Sequence, residues 1–472
     1  MGALPNYFRQ VDFEKLFRDY PLPEEFVDGL YRWPRGKIQE LQDERFASLV
    51  RDAWENPFYK RIWSDAGLKP GDVKGLNDLQ KLPVFTVYDF KDSIQRNPPF
   101  GEHQGVTPAD AARIPLKIQS SGGTTGKPRP TFFGPVEWEV QAIQTARTLY
   151  IQGARPGDVL QIPVTLTYSN YAWCYYRAAH YYLGIVPVTT GSGVVTSSRR
   201  QVEIAQEWGT NLWTAFPEYL LHLAHTAQEM GLDPKSFGTK LLTSYLGPDT
   251  DGLLRRQLEA AWGCPVFDNY GTHEIGVAAF ECQERNGRHV HEDTLIVEVA
   301  DADTGEILPP GSEGNLVATA LHRRYPPLIR YNLMDRVRVL PETTCACGSS
   351  LLRLDHFLGR SDDMVKLRGT NLYPMACLNA LKADERCVGE WICVVDRVGE
   401  GLGQRDEMVV KVEYRDGVED LESLRRDLEE SLRSDLGVRV GVELVPAGSL
   451  APLTNYGGEG KVRRLLDRRP KK

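Results

Sequence analysis

A run of small, hydroxylated and glycine residues near position 120 is the strongest chemical signal in the sequence. It reads Ser120-Ser121-Gly122-Gly123-Thr124-Thr125-Gly126-Lys127-Pro128. Glycines let the backbone turn tightly and approach a ligand closely, and hydroxyls with successive backbone N–H groups form a concave site for phosphate oxygens. Lys127 adds a positive charge. We therefore expect this segment to bind phosphate groups.

This segment is not a Walker A loop of the form G-x-x-x-x-G-K-[ST]. The first glycine of that motif falls on Ser121, and Pro128 stands where a magnesium-binding hydroxyl is needed. A flexible linker is the alternative interpretation. It is disfavoured because linkers are rarely flanked by an apolar strand, here Ile114–Ile118, and by an aromatic pair.

A second chemical signal is an aromatic segment from Tyr168 to Tyr182, in which seven of fifteen residues are aromatic. Tyr168, Tyr171, Tyr175 and Tyr182 recur at helical spacing. An aromatic-lined pocket with a few polar tips is typical of a site for a small organic molecule. Tyr168, Asn170 and Tyr171 are the candidates for contact with such a molecule, whereas most of the other rings are expected to pack a helix against a sheet.

The cysteines offer a candidate metal site. Cys345 and Cys347 are separated by one residue, a spacing that cannot close a sensible disulfide but can bind one metal ion. Cys282 and His289 have six residues between them, and three cysteines with one histidine form a closed structural zinc set. His291 is the competing nitrogen ligand, and buried free thiols are the alternative.

The predicted secondary structure that must position these groups differs between segments of the chain. Residues 1–110 are expected to be mostly helical. From about 110 to 270, short apolar runs alternate with helical patterns, which predicts a parallel sheet covered by helices. The segment 294–340 predicts an antiparallel lobe, and the last 110 residues a small α+β domain. The predicted helices are Trp33–Phe58 with a break at Asn56-Pro57, Val136–Ile151, one that follows Pro217, and Leu421–Leu436; the predicted strands are Val159–Val164, Val266–Asn269, Leu295–Val299, Asn315–Thr319, Val337–Leu340, Trp391–Val395 and Met408–Glu413.

Composition excludes several classes of protein. A net charge of −8 disfavours nonspecific binding to nucleic acid. The sequence contains no run of about 18 apolar residues, so no membrane-spanning helix is expected. The N-terminus lacks the basic start and apolar core of a signal peptide. Eight cysteines in 472 residues are typical of a reducing compartment. We expect a cytoplasmic globular protein.

The chain resembles a known group of enzymes. Its phosphate-binding segment is similar to that of the adenylate-forming superfamily, which includes acyl-CoA synthetases, luciferases and peptide-synthetase adenylation domains. Nearly the whole chain resembles the phenylacetate–coenzyme A ligase family within it. Besides that segment, the motifs in order are Asn56-Pro57-Phe58-Tyr59, Leu82-Pro83-Val84-Phe85-Thr86, Tyr270-Gly271-Thr272-His273-Glu274, Arg330-Tyr331-Asn332-Leu333-Met334-Asp335, Gly359-Arg360-Ser361-Asp362-Asp363-Met364, Arg368-Gly369-Thr370-Asn371 and Gly460-Lys461-Val462.

The resemblance implies an α/β fold with two domains. Residues 1–361 would form a large domain that binds ATP and the acid, with helix-covered sheets and the antiparallel lobe, and residues 362–472 a small mobile α+β domain. The implied function is that of an AMP-forming acid–CoA ligase, which activates an aryl or arylacetic acid as an acyl-adenylate and transfers it to coenzyme A. A different acceptor (a deazaflavin coenzyme, an amine or a carrier protein) stays open, and so does a non-catalytic nucleotide-binding protein.

The resemblance also implies roles for individual residues. Glu274 would help to hold Mg²⁺, Asp335 would bind both ribose hydroxyls, and Arg360 would contact the nucleotide. Asp362 would be the hinge between the domains, and Lys461 the mobile catalytic lysine of the adenylation step. The implied ATP-binding residues are Ser120, Ser121, Gly122, Gly123, Thr124, Thr125, Gly126, Lys127, Asp268, Asn269, Tyr270, Gly271, Thr272, Asp335 and Arg360.

The expected small molecules follow from this assignment. They are a carboxylic acid, ATP with Mg²⁺, and coenzyme A, with a structural Zn²⁺ at the cysteine and histidine set that the resemblance also favours. The family often has a glycine-rich run where this chain has Tyr168–Tyr182, and the added bulk favours a compact aryl acid over phenylacetate. Neither nucleic acid nor a membrane is expected as a partner, and a homodimer is left open.

Overall fold

The computed structural model describes residues 5–121, 129–361, 365–367, 370–372, 374–398, 405–456 and 462–469. The chain divides into two compact units, Met1–Leu358 and Gly359–Lys472. This division falls just before the predicted domain boundary at residue 361. None of the helices in the described ranges is long and apolar enough to cross a lipid bilayer.

The first unit begins with helices, as predicted. Local chemistry fixes where several of them start. Asn56 accepts a hydrogen bond from the backbone of Phe58 at 3.0 Å and so caps the helix that begins at Pro57, and Thr86 forms a capping box with Asp89. The helices of this unit are α1 Asn6–Arg9, α2 Phe13–Asp19, α3 Pro23–Asp28, α4 Arg35–Ala53, α5 Pro57–Asp65, α6 Val87–Arg96, α7 Pro135–Ile151, α8 Tyr171–Arg177, α9 Ser198–Trp208, α10 Pro217–Glu229 and α11 Leu253–Trp262.

The central layer of the first unit is an eight-stranded sheet of order β14-β10-β9-β8-β7-β6-β4-β5. The strands of this unit are β1 Phe85–Thr86, β2 Lys117–Ser121, β3 Arg129–Phe133, β4 Val159–Gln161, β5 Val186–Val188, β6 Leu212–Thr214, β7 Leu241–Ser244, β8 Val266–Thr272, β9 Gly276–Glu281, β10 Arg288–Val290, β11 Leu295–Ala300, β12 Glu313–Ala320, β13 Leu328–Arg338 and β14 Arg353–Leu354. From β5 to β8 the strands are parallel, and helices α8 to α11 connect them in turn. The predicted alternation of strands and helices is confirmed. β4 is shorter than the predicted Val159–Val164, because Pro163 has no N–H to donate to the ladder.

The predicted antiparallel lobe is a second sheet of order β1-β13-β12-β11. The prediction of Val337–Leu340 as a separate strand was wrong, since β13 is one long strand that starts at Leu328 and ends at Arg338. Charged residues in β13 concealed the run of buried residues that would have predicted the whole strand. Arg330 is only 3% exposed and makes two hydrogen bonds with the carboxylate of Glu298, so that a buried strand carries charged side chains.

The hairpin β2–β3 carries the predicted phosphate-binding segment. Its register pairs Lys117 with Phe133 and Ser121 with Arg129. The residues between these ends, 122–128, lie outside the described residues. The backbone N–H of Ser120 donates to the carbonyl of Tyr168 at 2.8 Å. This bond places the end of β2 next to the segment that leads into α8.

The second unit is a small α+β structure, as predicted. Its described elements are β15 Val365–Leu367, β16 Thr370–Leu372, α12 Leu378–Lys382, β17 Cys387–Val398, β18 Arg405–Tyr414, α13 Leu421–Leu436, β19 Gly441–Pro446, α14 Ala451–Thr454 and β20 Leu465–Asp467. The main sheet has the order β19-β18-β17-β20. Helix α13 has the predicted bounds, because it buries a leucine at every fourth position from Leu424 to Leu436.

Candidate active site

The parallel strands of the central sheet place polar residues along one edge. β6 ends at Thr214, β7 at Ser244 and β8 at Thr272. In open α/β sheets, ligands bind in the crevice outside the carboxyl ends of the strands. Since side chains alternate along a strand, β8 presents Tyr270 on one side of the sheet and Asn269 on the other. The site therefore has two sides.

On the first side, Tyr270 joins two of the sequence motifs. Its hydroxyl donates to Oδ2 of Asp335 at 2.7 Å, across strands β8 and β13. Both side chains are buried. The structure thus brings together two residues that the sequence assigned to ATP and that are separated by 65 positions. A buried carboxylate beside a phenol can accept hydrogen bonds from the hydroxyls of a sugar.

Glu274 lies in the turn between β8 and β9, and Arg129 neutralises it. The two side chains form a buried ion pair. Burial alone would raise the pKa of Glu274, but the charges of Arg129 and His273 outweigh it and hold the pKa at about 2. The group is therefore ionised at neutral pH and suits a hard cation such as Mg²⁺, which would share the carboxylate with Arg129.

Sequence reasoning missed Arg129. The available signal was its position, directly after Lys127-Pro128 at the end of the phosphate-binding segment. A second cation there is consistent with binding of an anion. The turn that carries Glu274 depends on Gly271, because a Cβ on that residue would lie 2.1 Å from the carbonyl oxygen of Gly276.

Asp268 is held by neighbouring groups within the sheet. Its Oδ1 accepts from the backbone of Leu246 and its Oδ2 from Arg288, both at 2.8 Å. The backbone N–H of Asp268 donates to Glu281, which in turn forms two hydrogen bonds with Arg255. A cavity of about 330 Å³ adjoins this network. Burial raises the pKa of Asp268. These contacts give Asp268 a structural role in addition to the predicted contact with ATP.

On the second side of the sheet, Asn269 belongs to a polar network. Its Nδ2 donates to Oγ1 of Thr243 at 2.8 Å and to the hydroxyl of Tyr175 at 3.2 Å. Its Oδ1 accepts from Gln152 at 2.8 Å. Asn269 therefore faces the aromatic side of the sheet, whereas the sequence assigned it to ATP.

Tyr171 forms the centre of an aromatic cluster next to this network. Its ring stacks on Phe216 at 5.4 Å, and it lies 5.0 Å from the ring of Tyr175 and 5.4 Å from that of Tyr245. Its hydroxyl pairs with Thr214 at 2.8 Å. The predicted pocket residue Tyr171 is thus surrounded by aromatic rings at the carboxyl edge of the sheet.

The structure separates the other predicted pocket residues. Asn170 is buried at the start of α8, beside the backbone carbonyl of His273. Tyr168 precedes the helix and is 56% exposed. The expected common helical face is interrupted, because α8 begins only at Tyr171 and the hydroxyl of Tyr182 donates elsewhere, to Glu139.

The remaining predicted residues lie in different parts of the chain. Ser120 is buried in β2, and Ser121 is the last residue of that strand. Gly271 and Thr272 end β8. Arg360 belongs to the second unit. Residues 122–127, Asp362 and Lys461 lie outside the described residues.

The predicted zinc ligands form one cluster in the first unit. The ligand atoms of Cys282, His289, Cys345 and Cys347 all lie within 4.8 Å of one another. Two of the separations are 3.9 Å, between the sulfurs of Cys282 and Cys345, and 3.5 Å, between Cys347 and Nε2 of His289. A zinc tetrahedron built from usual bond lengths has edges of about 3.8 Å between sulfurs and about 3.5 Å from sulfur to nitrogen. The donor set therefore fits zinc. His291 is outside this cluster and contacts Thr148.

Comparison with known proteins assigns the chain to a family. Residues 369–469 match the family model of the AMP-binding enzyme C-terminal domain. The chain is 32% identical to a phenylacetate-coenzyme A ligase of Thermus thermophilus over an alignment of 459 residues, which covers 92% of this chain and 98% of that protein. It is 30% identical to a phenylacetate-coenzyme A ligase of Aromatoleum evansii over 456 residues, 94% of this chain and 98% of that protein. The structure of a 2-hydroxyisobutyryl-CoA ligase with 2-HIB-AMP, in the postadenylation state, matches with a TM-score of 0.81 and 28% identity, covering 93% of this chain and 91% of that one. The chain therefore belongs to the phenylacetate–coenzyme A ligase family of AMP-forming acid–CoA ligases.

Proposed function

We propose that the protein uses ATP to convert a compact aryl or arylacetic acid into an acyl-adenylate and then transfers the acyl group to coenzyme A. The observation that carries this proposal is the similarity to two phenylacetate-coenzyme A ligases over 98% of their lengths. It is supported by the aromatic cluster around Tyr171, which lies on the opposite side of β8 from the pair of Tyr270 and Asp335.

In the first step, an oxygen of the acid carboxylate attacks the α-phosphorus, and the bond to pyrophosphate breaks. The segment Ser120–Lys127 would hold the phosphates, and Asp335 would hold the ribose. Mg²⁺, when bound, neutralises phosphate charge, and Glu274 would be its ligand. Arg129, which pairs with Glu274, would offset charge on the departing pyrophosphate. By the family resemblance, Arg360 would contact the nucleotide and Lys461 would stabilise the charge that develops in this step.

In the second step, the thiol of coenzyme A attacks the acyl carbon and AMP leaves. Two chemical steps that share one site require that its surroundings change between them. Movement of the small C-terminal domain about Asp362 would provide that change, since domain and lid motions commonly assemble a catalytic site in turn. Release of AMP and formation of the thioester complete the reaction.

The deciding experiment measures pyrophosphate release and thioester formation across a panel of carboxylic acids, with and without coenzyme A. We expect acid-dependent pyrophosphate release, and an acyl-CoA product identified by mass spectrometry only when coenzyme A is present. Activity confined to long fatty acids would reject the proposed acid class. Acyl-adenylate that reacts with a carrier protein or an amine, but not with coenzyme A, would favour the other acceptors.

We also propose that Cys282, His289, Cys345 and Cys347 hold a structural zinc ion. The support is that the four ligand atoms all lie within 4.8 Å of one another and that two of their separations, 3.9 Å and 3.5 Å, are near the edges of a zinc tetrahedron. Metal analysis of protein purified without chelators should give one zinc per chain, and Cys347→Ser should lower both the zinc content and the melting temperature. Cys264→Ser, at a buried cysteine outside the cluster, is the matched control and should retain the metal. Metal-free wild-type protein of unchanged stability would contradict this proposal.

A further inference from the structure

Gln141 is a polar side chain in the middle of helix α7, where almost every residue is buried. The side chain is fully shielded from solvent. A buried amide is costly unless both its donor and its acceptor have hydrogen-bond partners. The partners of Gln141 therefore show what the fold gains from a glutamine at this position.

The amide nitrogen of Gln141 holds the turn between β8 and β9. Its Nε2 donates to the backbone carbonyl of Glu274 at 3.3 Å. The approach is close, because a Cβ on Gly276 would lie 3.0 Å from Cγ of Gln141. Gly276 also has a φ of 72°, a conformation that favours glycine. The turn that follows the ATP-assigned residues of β8 therefore lies directly against this side chain.

The amide oxygen of Gln141 holds the start of helix α8. Its Oε1 accepts a hydrogen bond from Nδ2 of Asn170, and the thiol of Cys174 donates to it at 3.8 Å. Asn170 is the residue that precedes α8, and Cys174 lies in its first turn. Since Nε2 faces a carbonyl and Oε1 faces donors, the amide has only one possible orientation. Tyr171, the centre of the aromatic cluster, is the first residue of the helix that is held in this way.

One side chain thus links two parts of the site that are assigned to different substrates. The turn between β8 and β9 belongs to the ATP side, and the first turn of α8 belongs to the acid side. Adenylation requires the acid oxygen and the α-phosphorus to approach to about 3–3.5 Å in the correct direction. A misplacement of about 1 Å costs roughly 100-fold in rate. A contact that fixes the distance between the turn and α8 therefore acts on this step.

We propose that Gln141 is a positioning residue for adenylation, which aligns the acid held by α8 with the triphosphate held beside the Glu274 turn. This inference rests on the proposed acid–CoA ligase function and adds a residue to it. It applies to the first half-reaction alone. Once the acyl-adenylate has formed, a covalent bond joins the acyl group to the phosphate, and the link through Gln141 is no longer needed to align them.

The test is Gln141→Met, which keeps an unbranched side chain of similar length and removes both hydrogen bonds. With the acid that wild type activates best, we expect the rate of pyrophosphate release at saturating substrates to fall by at least about 10-fold. KM for the acid and for ATP should each change by less than about 3-fold, because each substrate keeps its own contacts. Thioester formation from a supplied acyl-adenylate should stay close to that of wild type.

Gln144→Met is the matched control on the same helix. Gln144 is also buried, but its Nε2 donates to Thr294 at 2.7 Å and not to the Glu274 turn or to α8. This variant should lower stability in urea unfolding as Gln141→Met does, and it should leave both half-reactions close to those of wild type. Asn170→Ala cuts the proposed link from the α8 side. It should slow pyrophosphate release as Gln141→Met does, and the double variant should lose no more than the slower single variant.

The possible outcomes separate this inference from the function on which it rests. Unchanged pyrophosphate release in Gln141→Met, equal losses in both half-reactions, or losses that add in the double variant would each overturn the positioning role while leaving the ligase function intact. A wild-type protein that activates no acid would overturn both. If Gln141→Met does not fold, Asn170→Ala decides the question, since slowing confined to pyrophosphate release supports the link and equal losses in both half-reactions reject it.

Discussion

Glu274 is the residue at which the proposed chemistry and the stability of the fold are most closely linked. It is buried with Arg129, and removal of one partner from a buried ion pair leaves an uncompensated charge. We predict that Glu274→Gln lowers the free energy of unfolding at pH 7 by about 3 kcal/mol. Glu203→Gln, at a mostly exposed ion pair on α9, should change it by less than about 0.5 kcal/mol.

This contribution should depend on pH in a defined direction. The folded protein holds the pKa of Glu274 at about 2, below the ordinary value of 4.5, so the unfolded chain takes up the proton first as the pH falls. The stabilisation is complete above pH 4.5 and is lost as the pH falls towards 2, by about 1.4 kcal/mol per pH unit. Urea unfolding of wild type and Glu274→Gln between pH 7 and 3.5 measures it. A difference that stays constant below pH 4.5 would contradict this account.

Sequence analysis identifies some site residues and misses others for a physical reason. Tyr270, Glu274 and Asp335 stand in motifs that resemble those of a known family, and the resemblance assigned all three to one site, of which the structure joins Tyr270 and Asp335 by a hydrogen bond. Arg129 was not predictable, because its partner Glu274 is 145 positions away and a pairing of that range leaves no local pattern. The hydrogen bonds of Asn269 to Thr243 and Tyr175 were also unpredictable, since these partners are 26 and 94 positions away in the sequence.

At the scale of elements, a helix or strand was predictable when its buried side chains are apolar and recur with a regular period. Helix α13 has one apolar stripe, and its predicted bounds match those observed. Strand β13 buries charged residues such as Arg330, so its period of two could not be read from hydrophobicity. The aromatic segment that contains α8 includes both core residues and predicted pocket residues, and neither group lies on one continuous helical face. The periodicity of the sequence therefore locates these elements, but the neighbouring helices and strands determine which of their residues face the site.

The first turn of α8 should set the size of the acid, because Tyr171 occupies the space between Phe216, Tyr175 and Tyr245. We predict that Tyr171→Ala raises kcat/KM for naphthylacetate relative to phenylacetate by about 10-fold, as expected when a few buried carbon atoms are exchanged for ligand. It should also cost about 3 kcal/mol of stability through the cavity that it leaves. Pyrophosphate release and urea unfolding measure the two effects.

Two variants isolate the contribution of the ring at this position. Tyr171→Phe keeps the aromatic volume and should not change the relative activity on the larger acid. Tyr181→Ala removes a ring from the same aromatic segment that is 57% exposed, and it should have no effect on selectivity. A similar gain in all three variants would mean that Tyr171 does not limit the pocket.

At the scale of the whole molecule, two units with separate cores carry the residues assigned to one reaction. The first unit contains Glu274 and Asp335, and the second contains Arg360. The order of motifs along the chain made this division predictable, and the leucine stripe of α13 shows that the second unit has its own core.

The strongest test at this scale separates the two half-reactions through Lys461, a residue that the family resemblance assigns to the small domain. Negative charge grows at the α-phosphate as the acid oxygen attacks and pyrophosphate leaves, and the family resemblance assigns the ammonium group of Lys461 to that adenylation step. We predict that Lys461→Ala slows pyrophosphate exchange by at least about 100-fold, whereas thioester formation from a supplied acyl-adenylate stays close to that of wild type. Lys411→Ala, at a lysine of the same unit that pairs with Glu443, should alter neither half-reaction. Equal losses in both half-reactions would instead mean that Lys461 supports the fold or the binding of the adenylate. A defect of that kind lowers the rate of the step that releases pyrophosphate and the rate of the step that consumes the thiol alike.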